Sequence, residues 1–288
     1  MKVVAIATEL TNPFLVQLLN PSCAAVGLEL IVLHSTAPAF EFADKRRILA
    51  DNIRRVAARD EIVVFTDAYD TLFIQGQRHI EARYETFAQP VVFSGELNSW
   101  PLGVVGIALH RGPPVGRYPY INSGGIIGPA GDIADLCAKY PETPSDRFPL
   151  LRHLQSHGYR YDEQFSWSDQ YHWMLVSLIE RQAISVDHDA TLFEFFGPRI
   201  PDLVYKDVMR DVHDFAQRGS EAAGYERVRD ELLTRLEAPS GAAQIHFAGS
   251  VTKAIALDLL QKGLLPDWLK VAYEAGPSPV RPDQVVRI

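Results

Sequence analysis

Apolar positions along this chain recur with two alternating periods. Residues 3–7 (VVAIA) form a short apolar run that predicts a buried strand. Asn12 and Pro13 then read as a helix cap followed by Pro at the first helical position. That opens a helix to about Val26, which Gly27 ends. Residues 28–33 are a second apolar strand. Between Asp44 and Arg59, Ile48, Leu49, Ile53 and Val56 return on one side of a helix. A third strand begins at Ile62 and runs to Thr66. This βαβαβ alternation predicts an α/β protein with a mostly parallel, Rossmann-like sheet flanked by helices on both faces.

The pattern continues with a helix at 77–87 and a short strand at 91–93. Residues 98–119 are rich in Gly and Pro and predict a long loop, and loops of that length are usually functional or mobile. A strand at 120–128 is interrupted by Gly124 and Gly125. Helices are predicted at 130–139, 149–156 and 168–180, a strand at 184–186 and an amphipathic helix at 220–236. A strand at 244–247 and a helix at 250–262 complete the series. No repeat or domain linker is visible, so the 288 residues predict one domain that ends in a Pro-rich surface tail at 276–288.

Composition narrows the function. With 28 Lys and Arg against 36 Asp and Glu, the net charge is −8. Such a chain lacks the basic face that nucleic-acid binding needs. An anionic substrate would require local neutralisation by a metal or a few placed cations. Cys23 and Cys137 are too few for a disulfide scaffold and read as buried thiols. The first residues hold an apolar run too short for a signal peptide, and no run reaches the ~20 apolar residues of a membrane span. These features predict a cytoplasmic protein.

The chemistry concentrates in residues 61–74, EIVVFTDAYDTLFI. A buried strand delivers Asp67 and Asp70 to its C-terminal end, where parallel α/β sheets open their ligand crevices. Two carboxylates three residues apart in a turn repel each other unless a cation lies between them. Mg²⁺ or Mn²⁺ prefers such oxygen ligands and commonly holds substrate phosphates too.

Four further segments stand in order with this FTDAYD turn: VVFSGE at 91–96, NSGGIIG at 122–128, SWSDQ at 166–170 and HFAGSVTK at 246–253. Together they resemble nucleotide-sugar glycosyltransferases of the GT-A fold. The match is best to the glycosyltransferase domain of the procollagen lysyl hydroxylases, over roughly residues 1–260. The resemblance implies a nucleotide-binding half at 1–128 and an acceptor-side half at 129–275. It implies Mn²⁺ held by Asp67, Asp70 and His246 on the diphosphate of a UDP-sugar. The H-x-x-G-x-x-x-K pattern is similar to the glycogenin-like H-x-x-G-x-x-K motif with one extra residue. Gly249 would let the backbone approach the diphosphate, and Lys253 would bond its oxygens. Tyr69 is placed to stack on uracil, Thr8 and Glu9 to bind base and ribose, and Lys45 to open the second helix of the nucleotide-binding half. Asn122, Ser123 and Gly124 would line the sugar pocket, Asp169 would lie beside the reacting sugar, and Glu96 and Trp100 would form the acceptor side. The family's oxygenase domains have no counterpart, so collagen-lysine hydroxylation is not implied.

The implied activity is transfer of a hexose, glucose or galactose, to a hydroxyl on a glycan, protein or small molecule. Where relatives carry a serine between the aspartates this chain has Ala68, and where they carry a paired acid it has Trp167 and Ser168. These departures keep a non-catalytic nucleotide-sugar binder in view. A haloacid-dehalogenase-type phosphatase is a weaker alternative, because D-x-x-D spacing does not reproduce that family's D-x-D pair. The bland alternative for the aspartates is turn and cap formation. For Asp187, His188 and Asp189 it is a plain loop, favoured over a second metal site.

Overall fold

The computed structural model describes residues 1–110, 113–200 and 205–288. Among them ten strands form two sheets. They are β1 (Lys2–Ala7), β2 (Glu29–His34), β3 (Ile62–Asp67), β4 (Thr71–Phe73), β5 (Val91–Glu96), β6 (Tyr120–Pro129), β7 (Ile184–Asp187), β8 (Phe193–Phe195), β9 (Gln244–His246) and β10 (Val285–Arg287). The larger sheet has the order β10-β2-β1-β3-β6-β5-β7, and the smaller has β4-β9-β8. β1 pairs in parallel with β2 and β3, β10 with β2, and β5 with β7. Within the larger sheet β6 alone runs against its neighbours, β3 and β5. The expected α/β sheet with helices on both faces is therefore present, with one antiparallel strand inside it.

Strand periodicity explains the two-sided core. Val4, Ile6, Val63, Phe65 and Phe93 point into one apolar layer with Ile48, Leu49 and Ile53 of helix Asp44–Val56. Val3, Ala5, Val32, Val64 and Val92 point the other way, onto Leu15, Leu19 and Ile80. Successive residues face opposite sides of a strand, so both sets must be apolar when helices cover both faces. Full burial of one such side chain contributes roughly 1.5–3 kcal/mol. Both cysteines are buried free thiols, and that burial pushes them above the ordinary thiol range.

Several elements differ from the sequence expectation. Residues 98–119 hold a helix, Val104–His110; Arg111 and Gly112 of that stretch lie outside the described residues. Helix Tyr205–Arg218 was not expected, and the amphipathic helix after it starts late, at Tyr225, running to Leu236. The short strands β4 and β8 carry too few residues to show a period. The tail runs along the sheet edge and ends as β10, anchored by Gln284, whose amide donates to Asn20 Oδ1 at 3.0 Å and to the Leu30 carbonyl at 3.4 Å. A three-residue edge strand beside three prolines has no sequence signature of its own.

Candidate metal and donor-binding site

Strand polarity brings the candidate residues to one edge. β1, β2, β3, β5 and β7 all end there, carrying Asp67 and Glu96 as the last residues of β3 and β5. β6 enters at the same edge because it runs antiparallel: Asn122 lies opposite Ser94, and Gly125 opposite Thr66. A turn after β3 leads into β4, where Thr71 pairs with His246 of β9. The Asp70 carbonyl accepts from the Phe247 amide at 2.8 Å, locking turn to strand. In this way the small sheet carries His246, far along the chain, to the aspartate turn.

Asp67, Asp70 and His246 each offer a ligand atom, and these atoms lie within 4.8 Å of one another. Asp70 Oδ1 and His246 Nδ1 are buried with no hydrogen-bond partner among the described residues, and His246 Nε2 is 3.5 Å from Asp70 Oδ1. Buried polar atoms are normally paired, so these orphans leave ligand capacity unused. Two carboxylates and an imidazole form a donor set for a divalent metal. Gly124 makes room for the ring: a Cβ there would sit 2.3 Å from His246 Cε1 and 2.8 Å from Nδ1. The residues present therefore fit a divalent metal.

Two lysines complete the electrostatics. Lys45, on helix Asp44–Val56, places Nζ 2.5 Å from Asp67 Oδ1 and 3.4 Å from Asp169 Oδ2. Burial alone would lower its pKa, but Asp169 and Asp67 outweigh that and hold the ammonium charged. Lys45 is thus buried and not a solvated surface charge. Lys253 Nζ is 3.4 Å from Asp70 Oδ2. Burial raises the Asp70 pKa, yet Lys253, His246 and Lys45 more than offset it and keep the carboxyl well below its ordinary range.

Gly249 adopts φ +91°, with nothing within 4 Å of an added Cβ. Backbone conformation thus accounts for glycine at this position. It turns the chain into helix Ser250–Gln261, whose first N–H groups have no intrahelical acceptor and suit an anion. Thr252, in that first turn, has a buried hydroxyl without a partner. Sequence reasoning passed over it, although it stands between Gly249 and Lys253.

On the sugar side, Asp169 is the first residue of helix Asp169–Ile179, behind Ser168, whose hydroxyl accepts from the Tyr171 amide at 3.3 Å. Burial raises the Asp169 pKa against the pull of Lys45, with Ser123 hydrogen-bonded to it. Glu96 accepts from Asn122 Nδ2 and from Gln170 Nε2, each at 3.3 Å. Burial pushes its carboxyl up to about 8. Gln170 also accepts from the Ser123 amide at 2.7 Å and bonds the Ile121 carbonyl, so it ties the helix to β6. It was visible in SWSDQ but not singled out. Asn122 Oδ1 accepts from the Gly124 amide at 2.9 Å.

A cavity of about 530 Å³ joins Lys45, Asp67, Asp70, Asp169, His246 and Lys253 to Glu96, Asn122 and Gly124, with Trp100 also on its wall. Thr8, Glu9 and Tyr69 stand outside that wall. The Tyr69 hydroxyl accepts from the amides of Thr8 at 2.7 Å and Glu9 at 2.6 Å, so Tyr69 fastens the turn to the end of β1. Asp187 accepts from Thr191 N and Oγ1 at 2.9 Å, Leu192 N at 2.7 Å and Phe193 N at 2.9 Å. With four donors filling its carboxylate, it holds a loop.

The family model described as the PLOD GT domain matches residues 2–147. Procollagen-lysine,2-oxoglutarate 5-dioxygenase 1 of Mus musculus is 25% identical over 167 residues, 56% of this chain and 20% of that protein. The Pongo abelii protein of the same name is 32% identical over 111 residues, 37% of this chain and 15% of that protein. The chain thus corresponds to a fifth or less of these relatives' length. Among solved structures, a glycosyltransferase involved in the glycosylation of the major capsid of PBCV-1 aligns with a TM-score of 0.41 and 13% identity. That alignment covers 90% of this chain and 98% of the other. No described helix is long and apolar enough to cross a membrane.

Proposed function

The chain belongs to the PLOD GT domain family, and from that premise we propose that it is a metal-dependent hexosyltransferase, moving glucose or galactose from a UDP-sugar to a hydroxyl acceptor. The observation that carries this reading is that Asp67, Asp70 and His246 bring ligand atoms within 4.8 Å of one another. These three residues would hold Mn²⁺, or Mg²⁺. When bound, the metal would supply positive charge for the diphosphate leaving group.

Everything else falls to the protein's own groups. Lys45 fixes Asp67 and Asp169 relative to each other, so the sugar-side carboxylate and the ligand carboxylate share one buried cation. Lys253 and the open N-terminus of helix Ser250–Gln261 add positive potential where the leaving diphosphate gains charge. Asp169 orients the hexose from the helix terminus opposite. Asn122, Ser123 and Gly124 shape the sugar pocket. Glu96, buried on the same cavity, exchanges a proton with the acceptor hydroxyl. Thr8, Glu9 and Tyr69 form the platform for base and ribose at the end of β1.

Calorimetric titration of UDP tests the reading, first with Mn²⁺ and then with EDTA. Binding should require the metal and weaken at least about 100-fold in Asp67→Ala, as expected when a metal ligand is removed. Equal binding with EDTA, or in Asp67→Ala, would sink the metal assignment.

A further inference from the structure

The cavity has a second wall that the donor reading leaves unused. Val208, Met209, Val212 and Phe215 of helix Tyr205–Arg218 line it, with Val228 of helix Tyr225–Leu236 and Val251 of helix Ser250–Gln261. Positions 208, 212 and 215 follow the i, i+4, i+7 spacing of one helical face. That face is only half-buried, and Met209 remains 38% exposed. Phe215 and Val251 pack partly against the neighbouring core, yet the face also opens into the space that holds the carboxylates and lysines.

We infer that the hydroxyl acceptor carries an apolar group, alkyl or aryl, adjoining the hydroxyl that receives the sugar, and that this group lies on the helix Tyr205–Arg218 wall. The inference rests on the transferase reading. The two walls differ in what they can satisfy. Around Glu96, Asn122 and Gln170 a hydroxyl finds carboxylate and amide partners within one hydrogen-bonded cluster. Helix Tyr205–Arg218 also brings Asp207 and Asp211 to the cavity, and Arg227 lies on it too, but Val208, Val212, Phe215 and Val251 themselves present only hydrocarbon. A sugar hydroxyl set against those four side chains would lose water and gain no partner from them, which costs free energy. A hydrocarbon would be favoured for the same reason. Because both walls bound one cavity, a single amphiphilic molecule spans them: hydroxyl toward Glu96, apolar part toward the helix.

Hexyl and methyl β-glucosides, identical at the sugar, separate the alternatives. Each is titrated calorimetrically into the full chain, with hexyl glucoside kept monomeric. Hexyl glucoside should bind at least about tenfold more tightly, since burying even part of the five added methylenes gives that ratio. The preference should collapse in Val212→Asp, while metal-dependent UDP binding stays unchanged. Met209→Asp, at a more exposed position, provides the same test if Val212→Asp fails to fold. Equal affinity for the two glucosides in the wild type overturns the inference, as does a preference that survives both substitutions. Failure of the donor reading is distinct: UDP would not bind with Mn²⁺, and the glucoside preference would then report a ligand other than an acceptor.

Discussion

A carboxyl group buried as deeply as that of Glu96 holds its proton more tightly in the folded chain than in the unfolded one. Its pKa rises from an ordinary 4.5 to about 8, chiefly through burial, although Asn122, the Trp100 backbone and Gln170 all favour the ionised form. Between those values the folded state binds more protons than the unfolded state. The stabilisation is complete below about pH 4.5 and is lost as pH rises through about 8. Glu96→Gln removes the titration while keeping the size and one of the two acceptor oxygens, a loss of one hydrogen bond that does not vary with pH. The substitution should therefore stabilise the protein increasingly toward pH 8, by an amount on the order of a few kcal/mol. Thermal melts of the two proteins across that range measure it; a constant difference in Tm would contradict the assignment. If Glu96 exchanges the acceptor's proton, the same variant loses transfer without losing UDP binding.

Between elements, the sensitive point is where β6 passes β9. Gly124 precedes the residue paired with Thr66, and the His246 ring fills the space its side chain would take. Gly124→Ala would push a Cβ against backbone-anchored imidazole, because His246 is pinned between Thr71 and Phe195 by strand pairing on both sides. The ring must shift from the position it holds 3.5 Å from Asp70. Mn²⁺ affinity is expected to fall roughly 10- to 100-fold, the scale seen when residues supporting a metal ligand are changed. Manganese titration followed by electron paramagnetic resonance reads this directly, and unchanged affinity would remove His246 from the ligand set.

For the whole molecule, the last residues close the sheet. β10 pairs with β2 and covers an edge whose inward residues Leu30 and Val32 belong to the core. Truncation after Gly276 should lower Tm by several degrees and promote association through the bared β2, as exposed edges do. Calorimetry with light scattering checks both effects. Much of this architecture was legible in the chain itself. The alternation of apolar runs and helical faces located β1, β2, β3 and their helices, because periodicity is local and both faces of the sheet had to be apolar. The aspartate turn was legible for a related reason: a strand end and two carboxylates lie within a few residues. His246, Gly249 and Lys253 were found only through resemblance, since nothing near them in sequence says which residues they meet. Tertiary structure alone decided that Lys45 is buried between Asp67 and Asp169, and that Tyr69 is occupied by the end of β1. It also decided that β10 seals an edge and that helix Tyr205–Arg218 turns an apolar face into the cavity. Local sequence governs which elements form, because their energetics are settled within a few turns of chain. Burial, partners and the walls of a cavity arise from residues far apart in the chain, such as Lys253 and Asp70, 183 positions apart, and only packing brings such residues together.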